Sequence, residues 1–345
     1  MKEPSLKGLA TGIGSLPLVD AEKAVDLVLK YLPEIPFWPQ LPKKDPREGM
    51  TTQFSQNLPL LKLTSEGLVF NPENKEKQLE LFYERIISSD TDYFGLSPEY
   101  ASGFWEFYKR LKKIDLSGIK FIKCHITGPF TFAASLTDEN GSSWMNDPVL
   151  FEVVQKGLLL KAKWQIDKLK EFKKPLILFL DEPYLGCFGS AYTPLNREQV
   201  VCALEDFSIS LKEDGLKIGI HCCGNTDWSI FTETKGIDII NFDAFGFAEK
   251  VFLYAPQLKE FFKRGGLLCW GIIPTQDFDS ETDVEFLFSH LQKGIEILTK
   301  KGLDIAVIKE QMLLSPSCGL GTLSAEKAEG ILTTLKQLSY KVNAL

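Results

Sequence analysis

Short apolar runs alternate with longer segments whose apolar residues recur at helical spacing, and they do so along nearly the whole chain of 345 residues. That alternation marks parallel strands joined by helical crossovers. It predicts eight strands, over residues 8–14, 35–40, 119–127, 175–181, 216–222, 237–243, 267–273 and 311–316, with helices over 21–32, 147–171, 196–214 and 283–301 among the connections. Turn and capping residues precede two of these helices, Thr193-Pro194 before Asn196 and 279–282 before Asp283. Eight strand–helix units in this length make an α/β fold of the (β/α)8 TIM-barrel kind, whose chemistry is built where the strands end.

One connection is too long for a simple crossover. Between the second and third strands lie a hairpin over 61–72 with its turn near Glu66-Gly67, a charged helix over 74–88, and an aromatic-rich stretch holding Tyr93-Phe94, Phe104-Trp105 and Phe107-Tyr108. We read residues 55–115 as an insertion folded over one side of the barrel, its aromatics serving as local core. No Gly/Ser/Pro linker or low-complexity tract interrupts the chain, so a single catalytic domain over 1–345 is expected.

Composition narrows the function. Lys+Arg 39 against Asp+Glu 46 leaves a net charge of −7, which argues against a nucleic-acid-binding surface. No run approaches the ~20 apolar residues that cross a bilayer, and 1–9 lacks the apolar core of a signal peptide. A cytoplasmic protein with no membrane contact is expected. Its seven cysteines, an odd number without disulfide-framework spacing, fit a compartment where thiols stay reduced.

Chemistry-bearing residues cluster at the strand ends. The first strand closes on Thr11-Gly12-Ile13-Gly14-Ser15, where glycines admit close backbone approach and Ser15 can bond a carboxylate. A dinucleotide fingerprint would need a third glycine that is missing here. The third strand ends in Cys124-His125-Ile126-Thr127, where His125 is either a base at the rim or, the more common case for a lone strand histidine, a satisfied core residue. The fourth ends in Asp181-Glu182, and alternation with Ile177 and Phe179 turns Asp181 inward, where it can hold a substrate ammonium. After the fifth, His221 and Cys223 share one face while Cys222 takes the other, and Cys318 can join from a distant strand. One imidazole and two thiolates suit a tetrahedral zinc ion and leave a position for a substrate. The competing reading is three ordinary buried side chains. Asp243, after the sixth strand, is either an oxygen ligand or the acceptor for the His221 ring N–H. Cys187, Cys202 and Cys269 are read as packing residues, and His290 is given no role.

Taken in order, Ile13-Gly14-Ser15, Thr127-Gly128-Pro129, Asp181-Glu182-Pro183, His221-x-Cys223 and Cys318-Gly319-Leu320 resemble the catalytic barrel of the cobalamin-independent methionine synthase family over nearly the whole chain. The resemblance implies a zinc-dependent methyltransferase that moves a methyl group to the thiol of homocysteine and forms methionine. Carried over residue by residue, it implies His221, Cys223 and Cys318 as zinc ligands, with Asp243 standing where the family has a glutamate. Asp181 then holds the substrate amino group, and Ile13, Gly14 and Ser15 surround its carboxylate.

Two departures concern the methyl donor. The histidine that the family uses near the folate has no counterpart in 270–275, and the full-length enzymes have a second barrel that this chain lacks. His221-Cys222-Cys223-Gly224-Asn225-Thr226 is also similar to a segment of zinc methyltransferases in the uroporphyrinogen decarboxylase superfamily, which take methyl groups from corrinoid proteins. Together these imply a core methionine synthase whose donor is methylcobalamin or a methylated corrinoid protein. The alternatives are methyltetrahydrofolate as donor, coenzyme M or another small thiol as acceptor, a metal-free decarboxylase or lyase on the same barrel, and a non-catalytic zinc-binding protein.

Overall fold

A computed structural model describes residues 4–65, 67–191, 193, 195–279 and 281–344. Its strands are β1 (Leu9–Ala10), β2 (Leu61–Thr64), β3 (Gly67–Phe70), β4 (Ile122–Thr127), β5 (Leu176–Asp181), β6 (Leu216–Cys222), β7 (Ile239–Phe242), β8 (Leu267–Ile273) and β9 (Met312–Pro316). Seven of them pair in parallel in the order β1-β9-β8-β7-β6-β5-β4. The sheet curls, with helices outside it, into the barrel-like α/β fold that the apolar pattern predicts.

The predicted second strand, 35–40, is not a regular strand. Pro36 and Pro39 lack the N–H groups that a ladder requires, so the segment pairs only through isolated bridges, Phe37 with Lys123 and Ser15 with Gln40. Lys123 N–H donates to the Pro36 carbonyl at 2.9 Å, and Gln40 N–H to the Gly14 carbonyl at 3.0 Å. These bonds carry the sheet from β4 back to the first strand. That first strand is also shorter than the predicted 8–14. Past Ala10 its backbone runs so close to its neighbours that a Cβ at Gly14 would lie 3.0 Å from the His125 ring.

Alternation sorts the strand residues into two cores. Leu9, Ile177, Phe179, Ile239, Cys269 and Leu313 fill the barrel, while Ile122, Leu178, Ile218, Ile220 and Leu314 face the helices. Those helices begin where capping residues allow. Asp20, Asp147, Asn196, Asp283 and Ser324 each accept backbone N–H bonds at the starts of Ala21–Tyr31, Pro148–Leu169, Arg197–Leu211, Val284–Lys300 and Ala325–Asn343. Pro194 and Ser280, which belong to the predicted capping segments, lie outside the described residues.

Within the long connection, β2 and β3 form an antiparallel hairpin, whose predicted turn residue Glu66 is outside the described residues. Helices Lys75–Ile87 and Ser102–Leu111 follow, the second packing on Ala21–Tyr31. Its Phe104 lies 5.8 Å from the Trp38 ring and 4.9 Å from the Trp164 ring, so these aromatics join the long connection to the rest of the fold. Among the described residues no helix is long and apolar enough to cross a membrane.

Candidate functional site

Register sets out the rim. Thr127, Asp181, His221 and Asn241 are successive partners across β4, β5, β6 and β7, which places four polar residues side by side at one level above the apolar filling. Cys223 is one step past β6, and alternation returns it to the His221 face. Cys318 arrives on the loop after β9. One donor atom from each of His221, Cys223 and Cys318 lies within 4.8 Å of the others.

His221 is held in a defined tautomer. Asn241 donates its amide hydrogens to the Cys269 carbonyl at 2.9 Å and to Ser315 Oγ at 2.8 Å. A carbonyl can only accept, so the other atom of that amide, facing His221 Nδ1 in a short contact, is its oxygen. His221 Nδ1 therefore carries the proton, and Nε2 keeps its lone pair. A histidine anchored through one nitrogen with the other free is the usual condition of a metal-binding imidazole.

The two neighbouring sulfurs favour ionisation of one thiol and oppose that of the other. The Cys223 thiol, helped by His221, pulls Cys318 down to about 4 against the effect of burial, whereas the Cys318 sulfur and burial push Cys223 far upward. Burial works against a charged His221, but the Cys318 sulfur and Asp181 outweigh it and raise its pKa. Two sulfurs and an imidazole nitrogen at this spacing form a donor set that fits zinc.

Asp243 does not join this cluster. Its Oδ1 accepts the Phe245 and Gly246 amides at 3.0 and 2.8 Å, closing the turn after β7. That oxygen is held by its own loop, and the acceptor at the His221 ring is Asn241. Sequence reasoning passed over Asn241, although its signal was present: two residues before Asp243, it shares the same strand face.

Beside the three donors is a cavity of about 390 Å³, walled by Ile13, Gly14 and Ser15, by Gln40 and Met50, and by Asp181. The Asp181 carboxyl is buried, its Oδ1 has no hydrogen-bond partner, and burial pushes it up to about 6 despite His221 and Lys123 nearby. Glu182 turns the other way. It accepts the Phe130 amide at 2.9 Å, the Thr131 amide at 2.8 Å and the Thr131 hydroxyl at 2.6 Å, a structural anchor for the chain after β4.

Other residues shape the cavity without having been singled out. Lys123, wholly buried, donates from Nζ to the Ile13 carbonyl at 2.6 Å and so pins the Ile13–Ser15 backbone. Gln40 gives its amide N–H to Gln53 at 2.8 Å, and Gln53 in turn bonds the Tyr100 carbonyl at 2.7 Å. Thr127 holds the Met50 carbonyl at 2.7 Å. His125 stacks on Trp38 at 4.0 Å as a core residue, but both its nitrogens are without partners, and burial drives its pKa well below the ordinary value. Its core placement matches expectation. Its hydrogen bonding does not.

Comparison with known proteins shows the fold class. A B12-independent methionine synthase from a Shewanella species, solved in complex with selenomethionine, superposes with a TM-score of 0.59 at 15% sequence identity, covering 99% of this chain and 98% of that one. No protein-family model matches the chain, and no curated protein does.

Proposed function

We propose that this protein is a zinc-dependent methyltransferase that methylates the thiol of homocysteine. The observation that carries the reading is convergence: His221, Cys223 and Cys318 meet at one wall of the cavity that Asp181 and Ser15 also line. A metal-binding group alone would not need an unpartnered carboxylate beside it. The neighbouring fold of a methionine synthase is consistent with this and extends over nearly the full chain.

The chain's residues divide the work. Asp181 offers Oδ1 to the substrate ammonium, a charge-assisted bond that would offset the burial of that carboxylate. Ser15 and the backbone around Ile13 and Gly14 face the substrate carboxylate. Asn241 keeps His221 in the ligating tautomer, and His221, Cys223 and Cys318 would hold the ion. When bound, zinc supplies a Lewis acid that favours the thiolate over a thiol whose free pKa is ~8.5. The substrate sulfur then attacks the donor's methyl carbon in line, the new S–C bond forming as the donor–methyl bond breaks, and the thiol proton passes to solvent. Holding sulfur and methyl together in this way supplies much of the acceleration.

For the donor, we infer a methylated corrinoid, free or protein-bound. Among the described residues no lysine or arginine lines the cavity, so a polyanionic folate tail would find no cationic side chain among them. The test is to load purified protein with zinc, quantify the bound metal, and supply homocysteine with either methylcobalamin or methyltetrahydrofolate. Bound zinc and methionine from methylcobalamin are expected. Turnover unaffected by stripping the metal, or methionine from neither donor, overturns the proposal, and methionine from the folate alone overturns the donor assignment.

A further inference from the structure

We infer that Ser15 is a positioning residue for Cys318, seating the loop that carries this sulfur against the first strand through an interlock with Gly319 and Gly321. The inference concerns the site proposed above but rests on packing that exists without any ion. Three contacts build the interlock. The Ser15 carbonyl accepts the Leu320 N–H at 3.0 Å, and Ser15 Oγ accepts the Gly321 N–H at 3.1 Å. Between these, the loop lies so close that a Cβ on Gly319 would collide with Ser15 Oγ, with no other atom within reach except Ser15 Cβ at 3.7 Å.

A hydroxyl has one proton to give and two lone pairs. Ser15 uses a lone pair on Gly321 and keeps its proton for a ligand in the cavity that it lines. One side chain therefore joins the wall of the substrate cavity to the residue next to Cys318. Neither Gly319 nor Gly321 has positive φ. Their lack of a side chain answers to space and not to backbone conformation, and that separates the two positions. At Gly319 the obstacle is the Ser15 hydroxyl itself. At Gly321 the obstacles are the Pro42 ring at 2.8 Å, Ser15 Cβ at 2.9 Å and Ser15 Oγ at 3.0 Å, and the two nearer ones remain if the hydroxyl is removed.

This asymmetry gives a double-mutant test. Gly319→Ala and Gly321→Ala are each made in the natural chain and in Ser15→Ala, and two quantities are read: zinc affinity by chelator competition, and the rate at which Cys318 of metal-free protein is alkylated by iodoacetamide, followed by mass spectrometry. Gly319→Ala should weaken zinc binding roughly tenfold, the lower end of the effect seen when support of a metal ligand is lost, and should speed Cys318 alkylation. In Ser15→Ala the same substitution should cost at most about a third as much in both readouts, whereas Gly321→Ala should keep most of its cost in that background, since two of its three obstacles remain. Equal penalties for Gly319→Ala in the two backgrounds, or none in either, overturn the inference. Thermal unfolding of each variant separates loop displacement from loss of fold, and Ser15→Thr, which retains the hydroxyl, should keep the Gly319→Ala penalty. If the protein binds no zinc, the alkylation rates still decide the interlock, so failure of the proposed function and failure of this inference are distinguishable.

Discussion

Replacing Asn241 by alanine removes one amide and should produce two separable losses. The first is stability. His221 Nδ1–H would be left in the barrel without its acceptor, while the Cys269 carbonyl, in the middle of a strand paired on both sides, loses only an added donor. One buried orphan costs about 1–3 kcal/mol, so metal-free protein should lose about that much in chemical denaturation. The second is metal affinity. With no acceptor at Nδ1, the imidazole can rotate or shift its proton to the ligating nitrogen, and loss of such an orienting partner typically weakens binding ~10–100-fold, or about 1.4–2.7 kcal/mol. Asn241→Asp separates the two. Its carboxylate keeps an acceptor for His221 but turns a second buried oxygen toward the Cys269 carbonyl in place of a donor, so it should be destabilised at least as much as alanine while retaining most of the zinc affinity. Competition against a chromogenic chelator measures the affinity, and urea titration of the stripped protein measures the stability. Natural affinity in Asn241→Ala, or an Asn241→Asp variant that binds zinc no better than alanine, refutes the argument that this amide sets the His221 tautomer.

Further tests address other parts of the molecule. Cys223→Ser and Cys318→Ser should each reduce retained zinc to below about a tenth of the natural level after dialysis, and either variant keeping both zinc and full activity rules out the ligand set. Asp181→Asn should lower kcat/KM for homocysteine ~10–100-fold, the worth of one charge-assisted bond of about 1.5–3 kcal/mol, with zinc content unchanged; an undiminished kcat/KM removes Asp181 from the ammonium site. Away from the rim, Lys161 is buried with its Nζ on the Gln56 and Phe94 carbonyls, and burial lowers its pKa from 10.5 to about 7. The unfolded chain therefore binds more protons between these values, and the penalty for the buried charge is complete below about pH 7 and relieved as pH rises. Relative to Lys161→Met, the natural protein should gain roughly 2 kcal/mol between pH 7 and pH 9. A stability difference that stays flat over that window contradicts the buried charge.

Much of this protein was decided locally and could be read along the chain. The apolar run of β6 occupies the predicted residues 216–222, Asn196 and Asp283 cap the helices they precede, and the period of a strand was enough to send Asp181 inward and Glu182 outward. At 35–40 two local signals oppose each other, an apolar pattern that favours a strand and two prolines, Pro36 and Pro39, whose missing N–H groups interrupt its ladder, and the prolines prevail. What no local pattern contained was the meeting of distant segments. Whether Asn241 or Asp243 reaches the His221 ring depends on the register of β7 against β6, in which Asn241 is the partner of His221. The seating of Cys318 depends on Ser15, some three hundred residues earlier. Such pairings come from closing the sheet on itself: hydrogen-bond periodicity and side-chain alternation act over a few residues, whereas the neighbours across a barrel are chosen by the packing of the whole.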